Sequence, residues 1–202
     1  MRCWKKKVKI STPIPEFHGI SKSWMVRYSQ FNAVLGFRMS EQLAAFDDSA
    51  FRQTMGNFAT GVVVVTGLLE HEPVGFAAQS FVSLSLDPPL VAFSPGKLSS
   101  SWPKIRQSGS FGINILGQDQ QALCADMARS GADKFANVQW QSGVTGSPML
   151  ENVLAFIECT VEAEHDAGDH TIVVGRVVDF QSGKEQAGPL LYFRSSYGSF
   201  MQ

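Results

Sequence analysis

Two apolar runs, Gly75 to Leu86 and Leu90 to Phe93, are held apart by Asp87-Pro88-Pro89, and this punctuation constrains the fold more than any other stretch. Paired prolines remove backbone donors and force extended geometry, so one strand must end there and another begin after a turn. Small polar residues interrupt the first run at Gln79, Ser80, Ser83 and Ser85, and Ser99, Ser100 and Ser101 close the segment before Trp102. A buried strand does not carry so many hydroxyls unless something accepts their hydrogen bonds. The stretch from Val74 to Trp102 therefore reads as a binding element around which the rest is organised.

The flanking patterns are mostly those of strands. Val62 to Thr66 is an unbroken β-branched run suited to burial on both faces, with Glu70 to Pro73 as a turn into the binding element. Gly109 to Leu116 reads as a strand carrying Asn114. Val153 to Glu164 and His170 to Gln181 read as two long strands joined by Asp166-Ala167-Gly168-Asp169, and Pro189 to Arg194 as a last strand before Ser195-Ser196-Tyr197-Gly198. Cys159, Val161 and Ala163 share one face of the first long strand, and Ile172, Val174 and Arg176 one face of the second. Helical spacing begins at Asp47 or Asp48, with Phe51, Met55 and Phe58 on one side, and short helices are expected over Trp102 to Gln107 and Asp119 to Arg129. Ala132 to Ser147 is expected to be a long loop. Six or seven hairpin-linked strands with two or three short helices predict a mainly-β closed barrel or sandwich, not a doubly wound parallel sheet.

At 202 residues the chain is long enough to bury one substantial core, and a single domain is expected. The formal charge of −1 is unevenly spread. Residues 1 to 38 hold eight Lys/Arg against the single acid Glu16, and the remainder holds nine basic against seventeen acidic residues. That prefix has prolines at Pro13 and Pro15 and no sustained period, so the working domain is expected to span residues 39 to 202, starting at Met39. An acidic body offers no footprint for nucleic acid, and no run is long enough to span a membrane as a helix. Cys3, Cys124 and Cys159 form no CxxC pair, which suggests neither a disulfide framework nor a zinc site and fits a reducing cytoplasm. Cys124 and Cys159 read as small buried hydrophobes.

Several chemistries lack their parts. There is no GxGxxG after a strand, no GxxxxGK[ST] and no GxSxG. His165, His170, Asp166 and Asp169 flank one turn, and a polar hairpin accounts for them without a metal. What remains is a site of turns, hydroxyls and amides, suited to a planar heterocycle carrying phosphate: Ala78, Gln79, Ser80 and the Asp87-Pro88 turn for the ring, and Lys97, Ser99, Ser100 and Ser101 for the phosphate. The competing reading makes the serines a helix N-cap and its first turn.

From Phe51 to Tyr197 the chain resembles the short-chain flavin reductases, the reductase components of two-component flavin-dependent monooxygenases. Six blocks in order carry the resemblance: FRQTMGNFATGVVVVTG, GFAAQSFVSLSLDPPLV, the segment Lys97 to Trp102, FGINIL at Phe111 to Leu116, DKF at Asp133 to Phe135, and Gly168-Asp169-His170. The resemblance implies an FMN-binding split barrel, a six-stranded antiparallel Greek-key barrel, forming a homodimer with flavin near the subunit interface. It places Gln79, Ser80, Phe81, Val82, Ser83, Ser85 and Leu86 on the flavin ring and ribityl chain, Lys97, Ser99, Ser100, Ser101 and Trp102 at the phosphate, Lys134 and Phe135 of the DKF block in the binding region, and His170 with Tyr197 at the nicotinamide nucleotide. Ala78-Gln79 stands where most relatives have threonine-asparagine or cysteine-asparagine, which leaves FMN or FAD open, as the sequence does NADH or NADPH.

The function so implied is an NAD(P)H:flavin oxidoreductase supplying reduced flavin to a separate monooxygenase. Hydride passes directly between the two rings, so no catalytic acid, base or nucleophile is expected. The alternative is a split-barrel carrier or sensor that holds flavin or haem with little turnover.

Overall fold

The computed structural model describes residues 47–131, 133–183 and 188–200, so the 1–38 extension lies outside the described residues. The chain divides into two compact units, Met1–Phe51 and Arg52–Gln202. Asp47 caps helix α1 (Asp48–Met55), its carboxylate accepting the Ser49 backbone N–H at 2.8 Å. Everything that follows lies in the second unit.

The β-branched run forms β2 (Val63–Leu69), whose first five residues are buried as expected of a central strand. A two-residue turn, Glu70 and His71 at φ 50° and 74°, returns the chain as β3 (Glu72–Ala78). The expected turn is thus shorter, and Pro73 already belongs to the strand. On its other side β2 pairs with β6 (Ser110–Ile115), which pairs with β9 (Ala155–Ala167). β9 turns through Gly168, at φ 67°, into β10 (His170–Ser182). β10 pairs with β5 (Pro89–Phe93), and β5 with β4 (Val82–Leu86) across the Asp87-Pro88 turn. Every pairing is antiparallel, in the order β3-β2-β6-β9-β10-β5-β4.

The two edge strands are neighbours in the chain, separated only by Gln79, Ser80 and Phe81. Six antiparallel steps make them run in the same sense, so β3 and β4 form one bent crossing from one edge of the sheet to the other. The sheet must therefore curl. Phe76 of β3 lies 6.2 Å from Phe93 of β5, centroid to centroid, and Ser80 Oγ accepts the Ser94 N–H at 2.8 Å. The result is a barrel left open along the seam between β3 and β4.

Its interior is filled by Val63, Val65, Val91, Phe93, Phe111, Ile113, Cys159 and Val173, and closed by Trp102 and Ile105 of helix α2 (Trp102–Ile105). Phe93, Trp102 and Phe111 meet edge to face at 5.2–5.9 Å. A second cluster on the outer face packs Val62, Val64, Leu116 and Phe156 against Cys124 and Met127 of helix α3 (Gln121–Ala128) and against Leu150 and Leu190. β2 is buried on both sides because it lies between these two cores.

Three corrections to the expected elements have physical causes. The expected loop 132–147 contains β7 (Trp140–Ser142), paired with β8 (Pro148–Leu150). The fully buried carboxylate of Glu158 holds the tip between them, accepting from Val144 N (2.5 Å), Thr145 N (3.0 Å) and Thr145 Oγ1 (2.6 Å). The expected last strand, β11 (Leu190–Phe193), is followed by β12 (Ser196–Ser199), through Arg194 and Ser195 at φ 47° and 61°. β11 also pairs with β1 (Thr60–Gly61). The described residues thus hold twelve strands in three sheets: β1, β7, β8 and β12 are two to four residues long, too short to show a period, and the expected single strand from Gly75 to Leu86 is divided into β3 and β4 at Gln79, Ser80 and Phe81.

Asn114 pegs β8 to the sheet. Its amide donates to Thr66 Oγ1 (3.1 Å) and Pro148 O (3.2 Å), and its Oδ1 accepts from Leu150 N (2.8 Å). Asn114→Ala leaves the buried Leu150 N–H without its acceptor, while Thr66 Oγ1 and Pro148 O keep their mutual 2.6 Å hydrogen bond, and is expected to lower stability by about 1–3 kcal/mol. Urea denaturation checks this, and a loss below about 1 kcal/mol would contradict it.

Candidate functional site

The curl of the sheet leaves a cleft of about 490 Å³ bordered by the β3–β4 link, the turn after β5, the tip of the β9–β10 hairpin and the β11–β12 sheet. Phe76, Ala77, Ala78 and Val62 give it an apolar wall, and Gln79, Ser80, Ser99, His170 and Tyr197 give it polar groups. Five residues singled out in the sequence are thus brought together from four separate segments.

Backbone pairing fixes the mouth. Gly96 and His170 form an isolated antiparallel bridge. Lys97 N donates to Asp169 O at 2.9 Å and Thr171 N to Pro95 O at 3.0 Å, while Lys97 Nζ pairs with Asp166. The positive φ of Gly168 lets the hairpin turn tightly enough to set His170 against this second turn. A Cβ placed on Gly96 would meet only His170 Nε2, at 3.8 Å, so the cleft here is open space. On the other side of the ring, Nδ1 lies 2.8 Å from Asp169 Oδ1, and this bond holds the Asp169 carboxyl below its ordinary range.

The three serines have different surroundings. Ser99 lines the cleft and also accepts the N–H groups of Ser101 (3.3 Å) and Trp102 (3.2 Å), capping the turn into α2. Ser101 is buried and donates to Gly75 O at 3.2 Å, Ser100 faces solvent, and Trp102 sits in the core with its indole N–H on Glu164 at 2.8 Å. Lys97 turns towards Asp166.

The DKF block fastens α3 to the barrel. Lys134 Nζ donates to Gly75 O (3.0 Å) and to Met127 O (2.9 Å) near the end of α3, and burial lowers its pKa. Phe135 packs against the outer core. Neither lines the cleft. Phe81 packs on the inner core, while Val82, Ser83 and Leu86 are exposed on the edge strand β4, with Ser85 half-buried among them.

On the opposite wall only Tyr197 was expected, and Tyr192 and Cys124 were missed. Tyr192 and Tyr197, cross-strand partners, meet edge to face at 5.1 Å, and Cys124 Sγ lies 3.3 Å from the Tyr197 oxygen. That contact, with burial, pushes the Tyr197 phenol up to about 12, and burial raises the Cys124 thiol. Both groups are therefore uncharged near neutral pH. Ser94-Pro95-Gly96 was also missed, although a proline-glycine pair closing a strand is a turn signal. Among the described residues no three His, Cys, Asp or Glu side chains converge as a metal site. The cleft offers apolar surface, neutral donors and one imidazole, which suits binding and orienting two flat rings more than acid, base or nucleophilic work.

The sequence matches the flavin reductase like domain over residues 55–201. It is 45% identical over 153 residues to the flavin-dependent monooxygenase, reductase subunit HsaB of Rhodococcus jostii (strain RHA1), covering 76% of this chain and 78% of the relative. It is 40% identical over 151 residues to the FMN reductase (NADH) SmoA of Agrobacterium fabrum (strain C58 / ATCC 33970), covering 75% and 85%. In three dimensions it is similar to a nitrilotriacetate monooxygenase component B homologue from Mycobacterium thermoresistibile, with TM-score 0.75 and 45% identity over 78% of this chain and 89% of that one. The sequence match covers the open-seamed barrel and every wall of the cleft, and the chain belongs to the flavin reductase family, with its split-barrel fold.

Proposed function

We propose that this chain is the reductase component of a two-component flavin-dependent monooxygenase, an NAD(P)H:flavin oxidoreductase that reduces FMN or FAD and passes the product to a separate oxygenase. The observation that carries this reading is the cleft itself, an apolar wall faced by neutral donors with an imidazole at its mouth. Bound flavin and reduced nicotinamide nucleotide would supply the hydride acceptor and donor. The residues present fit them: Phe76, Ala77 and Ala78 give a ring its flat wall, Gln79 offers an amide to its edge, and the space beside Gly96 admits a second ring next to His170. Ser80, committed to Ser94, shapes the link between the edge strands. The chain's task is to orient the rings and exclude water. The Agrobacterium relative, named for NADH and FMN, supports NADH as the donor.

A homodimer completes the site. Val82, Leu84 and Leu86 on β4, and Ile172, Val178 and Phe180 on β10, expose their side chains on strands that flank β5. A second copy covering them would bury apolar surface that one copy leaves in water and would enclose the β4 residues assigned to flavin. Among the described residues no helix is long and apolar enough to cross a membrane, and the two buried free thiols, Cys124 and Cys159, suit a reducing cytoplasm.

NADH and NADPH oxidation followed with added FMN or FAD tests the activity, and bound flavin without turnover would favour a carrier. His170→Ala is expected to raise KM for NADH about tenfold and leave flavin affinity within about twofold, the loss of one polar contact. Gly96→Val is expected to fold normally and weaken dinucleotide or flavin binding at least about tenfold, because its side chain occupies cleft space. Leu84→Lys should shift the mass in light scattering from dimer to monomer. Deleting residues 1–38 should leave turnover unchanged, and loss of flavin binding would assign that segment a part in the site.

A further inference from the structure

The two ring nitrogens of His170 have different surroundings. Nδ1 is engaged by Asp169 Oδ1 at 2.8 Å, and Nε2, beside Gly96 in the cleft, has no hydrogen-bond partner among the described residues. A carboxylate only accepts, so it selects the ring form that carries its proton on Nδ1, and a neutral ring in that form presents Nε2 as a bare acceptor. The backbone on both sides is stapled to the 95–97 turn by the Lys97 and Thr171 hydrogen bonds, which hold this edge of the ring against the cleft.

We infer that Asp169 is a positioning residue that fixes His170 Nε2 as an acceptor for the carboxamide N–H of the nicotinamide, making the site select coenzymes that carry this donor. The inference rests on the reading of the cleft as a flavin reductase site. Its physical basis is an asymmetry of recognition: an acceptor facing a group that cannot donate is left without a partner, so a coenzyme lacking the N–H binds less well. Asp169 is suited to testing because its side chain is 94% exposed and its backbone oxygen, not its carboxylate, receives Lys97 N. Its truncation removes the constraint on the ring and spares the staple.

The test compares KM for NADH with KM for its reduced 3-acetylpyridine analogue, which replaces the carboxamide nitrogen by a methyl group, in the wild type, Asp169→Ala and Asp169→Glu. Reduced nicotinamide hypoxanthine dinucleotide, which keeps the carboxamide and lacks the adenine amine, serves as control. The expected wild-type KM for the acetylpyridine analogue is about tenfold higher than for NADH, the worth of one hydrogen bond. The gap should shrink to within about twofold in Asp169→Ala, reopen in Asp169→Glu, and be absent for the hypoxanthine control. Imidazole ¹⁵N shifts, assigned with His170→Gln, should show the proton on Nδ1 in the wild type and a mixture in Asp169→Ala. Equal KM values in an active wild type, a gap that survives Asp169→Ala, a gap for the hypoxanthine control alone, or a proton resident on Nε2 would each overturn the inference. Absence of turnover with NADH and either flavin would instead overturn the functional reading on which it rests.

Discussion

Three residues, Gln79, Ser80 and Phe81, separate the two edge strands of a seven-stranded sheet, and most of the molecule follows from that shortness. A link this short cannot span an open sheet, so the sheet curls until its edges approach. The curl puts Phe76 near Phe93 and creates an interior that Trp102 and Ile105 can plug. It also creates the cleft, because the link and the turn after β5 are drawn to the same end as the β9–β10 hairpin. Site and fold share one cause.

The chain places its buried polar anchors away from that cleft. Glu158 is buried against the β7–β8 tip, Asn114 against β8, and Lys134 against the end of α3. Each fastens a peripheral piece to the barrel, where a buried charge or amide is tolerable because its hydrogen bonds are made. The cleft receives the opposite treatment. Its phenol and thiol stay protonated, and its polar groups come from a glutamine, serines and a histidine. In the proposed function, neutral donors would orient the two rings and still let reduced flavin leave.

The barrel was legible because its signals are local. Asp87-Pro88 does turn the chain from β4 into β5, with Leu86 paired to Pro89 across it, and the β-branched run at Val62 does lie between two cores. Of the cleft, Ala78, Gln79, Ser80 and Ser99 were legible from small and polar residues set where strands end, and His170 and Tyr197 only through the family resemblance. Other roles depend on what the chain meets in space. Ser101, Trp102, Lys134 and Phe135 read like ligand groups, and the structure engages them with Gly75, Glu164, Met127 and the outer core. Cys124 beside Tyr197 could not have been found from spacing, since more than seventy residues separate them and only the folded chain, with α3 docked on β3 and β2, brings thiol and phenol together. The turn at Arg194 and Ser195 was hidden for another reason: two ordinary residues occupy positive φ where glycine or asparagine would have announced it.

The antiparallel partnership of β5 with β10 also governs how the molecule can come into being. Val91 stands opposite Gly175, more than eighty residues further along, and no short hairpin can seed that pairing. The β2–β3, β4–β5 and β9–β10 hairpins close through two-residue turns and can form early, but they stay solvent-exposed pieces until the distant match is found. The search for that match sets the pace of folding, and during it the edges of β4 and β5 are open to strands of other chains. Newly made protein is thus most vulnerable to aggregation after its hairpins exist and before its barrel has curled.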